Sequence, residues 1–145
     1  DAIVFNSWQH YGTPSYWMQQ FFRESSGATV FPIRVSSNSL IASAIKWQSL
    51  EGNIYLRVKV VNFLNEAVNL KISVTGFNNS INPVGSSKTM LASSNPMDEN
   101  SFNEPNKVVP QQTTLMNAGT EMDVVAPGRS LSSYDLSLAP LVSSM

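Results

Sequence analysis

The stretch from Ile54 to Gly76, IYLRVKVVNFLNEAVNLKISVTG, limits what this chain can fold into more than any other. Ile54, Leu56, Val58 and Val60 alternate with Tyr55, Arg57 and Lys59; Val68, Leu70, Ile72 and Val74 alternate with Asn69, Lys71, Ser73 and Thr75. Period-two alternation of this length specifies β-strands with one apolar and one wet face. A helix is excluded, because Arg57, Lys59 and Lys71 would fall inside its apolar stripe. The intervening FLNEA is of hairpin length, so the two strands are expected to pair. A lone pair of strands is marginal in water. The apolar face therefore needs a second layer, which the rest of the chain must supply.

From Ala28 onward the pattern stays β. Strands are expected at Thr29–Val35, Ile41–Trp47, Asn53–Asn62, Ala67–Thr75, Ser87–Ala92, Lys107–Gln112, Met122–Val125 and Ser130–Leu138. This is the spacing of an antiparallel sandwich or barrel. Between Ser93 and Asn106 the sequence SSNPMDENSFNEPN reads as a loop punctuated by Pro96 and Pro105. No internal repeat or low-complexity tract is visible.

Residues 1–27 differ. Ala2-Ile3-Val4-Phe5 is a short continuous apolar run, as in a strand covered on both faces. NSWQHYG follows as a polar and aromatic loop. Thr13-Pro14 then starts a helix, with Thr as cap and Pro at the first helical position. Trp17 and Phe21, and Met18 and Phe22, give that helix an aromatic face, and Gly27 ends it. Strand, loop and helix make half of a βαβ unit, with no second parallel strand to complete it. Docking on the sandwich, self-association and local disorder are all open to this aromatic face, and the segment is expected to be mobile or self-associating rather than docked.

The totals narrow the function. A length of 145 residues allows one domain, or one domain with a stub of another. Basic and acidic residues number 9 and 10, without a basic stripe, so nucleic acid is not an expected partner. No apolar run approaches the roughly 20 residues of a membrane-spanning helix, and no membrane partner is expected. Asp1 opens the chain without the basic start of a secretory leader, so none is expected within it. Cysteine is absent, which removes disulfides and thiolate metal sites. His10 is the one histidine, so no His-based metal site is expected. No phosphate-cradling loop and no GxSxG elbow occurs, and no cofactor is expected.

The acids offer two sets: Asp98 and Glu99 with Glu104 nearby, and Glu121 with Asp123 two residues on. A glycosidase needs two carboxyls about 5–5.5 or 6.5–9.5 Å apart. Calcium could use the first set, but EF-hand spacing is missing. Both sets read more simply as solvated acids. Trp8, His10, Tyr11, Tyr16 and Trp17 form the densest aromatic cluster, and indole and phenol rings stack well on sugars. Tyr16 and Trp17 read as helix packing. Trp8, Gln9 and His10, in the loop after a strand, fit a substrate-binding and a structural role equally well. Asn78-Asn79-Ser80 is an N-glycosylation sequon after a strand. With the uncharged polar composition it suggests a secreted protein.

Four runs, DAIVFNSWQHYGTPSYWMQQFFRESSGA, LRVKVVN, NPMDENSFNEPNKVVP and NAGTEMDVVAPGRSLSSYDL, together resemble the C-terminal part of plant-type α-L-arabinofuranosidases of glycoside hydrolase family fifty-one. The resemblance covers nearly the whole chain. It implies a (β/α)8 barrel followed by a jelly-roll-type β-sandwich. Residues 1–27 would be the last strand and helix of the barrel, with the helix running Pro14 to Ser25, and residues 28–145 the accessory sandwich. It also implies a retaining mechanism with two glutamates on upstream strands. Neither lies here, so no catalytic residue is expected in this chain. Gln9 matches a glutamine that touches bound arabinose. The implied partners are cell-wall polysaccharide, reached through the parent enzyme, and the missing catalytic barrel. The implied location is the extracellular matrix or cell wall. From another class, the sandwich reads as a carbohydrate-binding module, or as a purely structural brace. The scarcity of aromatics after residue 50 favours the brace.

Overall fold

A computed structural model describes residues 1–139; the end of the expected 28–145 domain, residues 140–145, lies outside them. The fold is mainly antiparallel β, with one short helix near the N-terminus. In chain order the elements are β1 (Ile3–Phe5), β2 (His10–Gly12), α1 (Pro14–Gln20), a single 3-10 turn (Arg23–Ser25), β3 (Thr29–Phe31), β4 (Leu40–Gln48), β5 (Ile54–Asn62), β6 (Val68–Ser73), β7 (Ile81–Ala92), β8 (Gln111–Thr114), β9 (Glu121–Ala126) and β10 (Ser130–Leu138). A six-stranded sheet has the order β3-β4-β5-β10-β7-β8, β6 pairs with β9, and β1 pairs with β2.

The two alternating strands do not form the expected hairpin. β5 lies between β4 and β10, while β6 pairs with β9 in the other sheet. The linking loop is a crossover held from both ends. Asn62, buried at the end of β5, donates its amide to the carbonyls of Glu66 (2.9 Å), Ala126 (3.1 Å) and Pro127 (3.0 Å), and accepts from the Leu64 amide (2.9 Å). Gly128 packs so closely on the Asn65–Glu66 backbone that a Cβ would strike the Asn65 carbonyl. Hydrogen-bonding the loop to the β9–β10 turn steers the chain from one sheet to the other.

The alternation itself holds. Leu56, Val58 and Val60 of β5, Tyr134, Leu136 and Leu138 of β10, Met122, Val124 and Ala126 of β9, and Val68, Leu70 and Ile72 of β6 meet in one core between the sheets. The opposite face of the large sheet is not wet. Arg57 and Lys59 are buried there, beneath the N-terminal segment. A smaller apolar cluster of Phe21, Leu91, Val108 and Leu131, flanked by Trp17 and Val61, completes that layer.

Three strands differ from expectation for local reasons: β3 stops at Phe31 instead of Val35, because Pro32 has no N–H to continue the ladder, and β7 and β8 shift their starts. β7 begins at Ile81, six residues early, because Gly85 at φ 88° beside a register irregularity carries the strand through a sequence that reads as a turn. β8 starts only at Gln111, because the Asn100 amide takes both the Val108 N–H (2.7 Å) and C=O (2.9 Å). Helix α1 starts at Thr13 as expected: its hydroxyl accepts from the Tyr16 amide at 3.3 Å. It stops at Gln20 instead of Ser25, tightening through Phe21 into the 3-10 turn. Of its aromatic face, Phe21 is buried and Trp17 partly so, whereas Met18 and Phe22 stay about half exposed. Docking on the sandwich, rather than a free segment, is the observed arrangement.

Candidate functional site

Trp8, Gln9 and His10 sit at the tip of a tight β1–β2 hairpin, not in an open loop after a strand. The Asn6 carboxamide oxygen accepts from the Trp8 and Gln9 amides at 3.0 and 2.8 Å, and the Asn6 amide donates to the Gln9 carbonyl at 2.9 Å. Those bonds tie up the backbone and turn the side chains out, leaving Trp8 88% exposed. Ile3 and Phe5 are exposed too, unlike a strand covered on both faces. His10 lines a depression of about 310 Å³ with Ile3, Tyr11, Tyr16, Trp17 and Pro105; Trp8 and Gln9 do not. Among the described residues no carboxylate lines it, so these residues offer no acid–base pair there.

The acidic sets stay dispersed. Asp98 is bonded by the Ser93 hydroxyl and paired with Lys107 at 3.1 Å, and these partners hold its carboxyl below the usual range. Glu104 stands 3.9 Å from the same lysine. Glu121 accepts from Ser73 at 3.0 Å, and Asp123 lies exposed on the same outer face of β9. Among the described residues no three of His, Asp or Glu converge as metal ligands. Asn78 is exposed in the connection between β6 and β7.

The most organised polar group is one that sequence reasoning left on a wet face. Arg57 forms a fork with Asp135, Nε to Oδ1 at 2.7 Å and Nη2 to Oδ2 at 2.8 Å. Its remaining Nη1 reaches Glu24 of the 3-10 turn at 2.8 Å. Trp47 donates its indole N–H to Asp135 at 3.1 Å, lies 4.6 Å below the guanidinium and stacks on Tyr55. Lys59 donates to the Ser25 hydroxyl at 2.9 Å and sits 4.1 Å from the Phe22 ring centre. Burial works against ionising Glu24, but the bond and charge of Arg57 prevail and hold its carboxyl below normal. Burial opposes the charge of Arg57 as well, yet Asp135 and Glu24 together raise its affinity for the proton. For Lys59, burial and the neighbouring Arg57 both depress the value. Glu24, Arg57 and Asp135 neutralise one another in part and anchor the N-terminal segment to the sheet, while Lys59 is held by the Ser25 hydroxyl and the Phe22 ring without a carboxylate of its own. The cluster's only signal in the sequence was the cationic pair Arg57 and Lys59 at the middle of the longest alternating run.

Comparison with known proteins agrees with this architecture. The chain matches the family described as "Alpha-L-arabinofuranosidase C-terminal domain" over residues 2–130. It is 52% identical over 139 residues to Alpha-L-arabinofuranosidase 1 of Arabidopsis thaliana and 48% identical to Alpha-L-arabinofuranosidase 2 of the same plant. Each match covers 94% of this chain and 20% of the relative, so the chain spans about a fifth of their length. The GH51 arabinofuranosidase from Xanthomonas axonopodis pv. citri superposes with a TM-score of 0.72 at 17% identity, over 93% of this chain and 28% of that one. With the family match extending over most of its length, the chain belongs to the C-terminal domain family of the GH51 α-L-arabinofuranosidases.

Proposed function

We propose that this chain serves as the non-catalytic C-terminal part of an α-L-arabinofuranosidase that releases terminal arabinofuranosyl groups from arabinoxylan or arabinan in the cell wall. Residues 1–27 contribute the last strand and helix of a catalytic barrel, and residues 28–145 form the sandwich that braces it. The observation that carries this reading is the Glu24–Arg57–Asp135 cluster, which fixes the N-terminal segment to the central strands of the large sheet while Ile3 and Phe5 of β1 remain exposed. A segment held rigidly on one side and apolar on the other suits a brace. In this reading Gln9 contacts bound arabinose, with Trp8 and His10 beside it. A carbohydrate-binding module would need a free indole platform on the sandwich, whereas its one tryptophan, Trp47, is already occupied by Arg57 and Tyr55, and the exposed Trp8 lies outside it on the β1–β2 hairpin.

The test compares the chain alone with the full-length enzyme, using p-nitrophenyl α-L-arabinofuranoside. The chain alone should give no turnover. In the full-length enzyme, Arg57→Ala should lower the temperature of inactivation while kcat and KM at 25 °C hold, and Gln9→Ala should raise KM. Turnover by the isolated chain that disappears on replacing one of its acids would refute the proposal.

A further inference from the structure

The sequon Asn78-Asn79-Ser80 has no part in the brace. It lies in the connection between β6 and β7, where burial alternates: Phe77 and Asn79 are half-buried, Asn78 and Ser80 exposed. Phe77 reaches the core, its ring 5.1 Å from that of Phe31. Asn79 donates its side-chain amide to the Ala139 carbonyl at 2.9 Å, and the Ser80 carbonyl accepts from the Ala139 amide at 2.9 Å. With Phe77 and Asn79 fixed inward, Asn78 and Ser80 face solvent. The two asparagines therefore divide the work. Asn79 is structural, and it is followed by Ser80-Ile81, which makes no sequon.

The position in the fold leaves room for a large substituent. Ile81 pairs with Leu138 at one end of β10. The groove against α1, lined by Met18, Phe22, Leu91 and Leu131, lies at the other end. Leu131 and Leu138 lie at opposite ends of β10, about 23 Å apart at the usual rise. An oligosaccharide on Asn78 would stand clear of that groove.

We infer that Asn78 carries an N-linked oligosaccharide. In the transfer, the Asn78 amide nitrogen bonds to the anomeric carbon of a lipid-diphosphate-linked oligosaccharide. The bond from that carbon to the diphosphate oxygen breaks, the lipid diphosphate leaves with the electron pair, and the amide gives up one proton. The inference depends on passage through the secretory pathway and not on any arabinofuranosidase role.

The experiment expresses residues 1–145 behind a cleavable secretory leader in a eukaryotic cell, with leader removal marking entry. Treatment with peptide-N-glycosidase should sharpen and lower the gel band, and peptide mass spectrometry should find Asn78 converted to aspartate. Asn78→Gln and Ser80→Ala should each abolish the shift completely. Asn79→Ala should keep the glycan while lowering Tm, since it removes the bond to Ala139. Leader-processed chain with Asn78 unmodified, or a glycan that survives Asn78→Gln, would overturn the inference.

Discussion

Arg57 and Asp135 stand directly opposite each other on the neighbouring strands β5 and β10, and their side chains close a two-bond fork at 2.7 and 2.8 Å. The register of the sheet thus places the fork, and the fork in turn leaves one guanidinium nitrogen for Glu24. The N-terminal segment is held by what the sheet has left over.

Removing one member should be far worse than removing both. Arg57→Ala leaves Asp135 buried without its cation and should cost about 3–5 kcal/mol. Arg57→Met with Asp135→Leu should cost much less. Urea unfolding of both variants gives the comparison. Equal losses would mean that the fork contributes only through packing.

Acid should loosen the N-terminal segment. Glu24 has a folded pKa below the ordinary glutamate value of 4.5. Its stabilising contribution is therefore complete above that value and is lost as pH falls through the lower folded one. Tm should hold from neutrality to about pH 5 and decline below it, and Glu24→Gln should flatten part of that decline. The effect should be small, because 22% of the side chain remains open to solvent.

Tyr134 sets the alkaline side. Its ring is fully buried, and burial pushes the phenol up. The phenol oxygen has no partner in hydrogen-bonding geometry among the described residues. Above the ordinary value of 10 the unfolded chain ionises first, so stability should fall as pH rises further. Tyr134→Phe should remove that dependence. It should also match or exceed the parent in Tm at pH 7, because an unsatisfied buried hydroxyl costs about 1–3 kcal/mol. Melting at pH 7 and pH 10.5 tests both statements.

The crossover after β5 depends on Asn62. Asn62→Ala removes the bond accepted from Leu64 and the two amide protons shared among three carbonyls, and should cost about 3 kcal/mol at about 1 kcal/mol for each proton. Asn62→Asp should be worse, since a carboxylate would face three carbonyl oxygens. Gly128→Ala should also destabilise, by about 1–3 kcal/mol, through its collision with Asn65. Thermal melts should rank Asn62→Asp lowest.

Alternation in the sequence located the strands because burial of one face imposes it regardless of partner. For the same reason it could not give the pairing: Ile54–Asn62 and Val68–Ser73 carry the right faces yet belong to different sheets. The choice rests on Asn62 and Gly128, whose contacts come from residues more than sixty positions apart. Alternation also cannot distinguish water from a polar cover, which is why Arg57 and Lys59 read as solvated. The α1 cap was legible because Thr13 and Pro14 act locally, and its early end was not, because the fold over Phe21 draws the chain in. Trp8, Gln9 and His10 were legible as following a strand, but the closure of that stretch into a hairpin was not, because β2 is only three residues long and carries no alternation of its own.

The place of β10 has a consequence for the order in which the protein can form. It is the last described strand in the chain, yet it lies between β5 and β7 at the centre of the six-stranded sheet. Until residue 138 has left the ribosome, β3-β4-β5 and β7-β8 are separate fragments, each with an open inner edge. Their joining depends on contacts distant in sequence, such as Leu131 with Val61, and topologies of this kind fold slowly. A nascent chain halted before Ser130 would expose two unpaired strand edges together, which makes it a substrate for chaperones and a seed for aggregation.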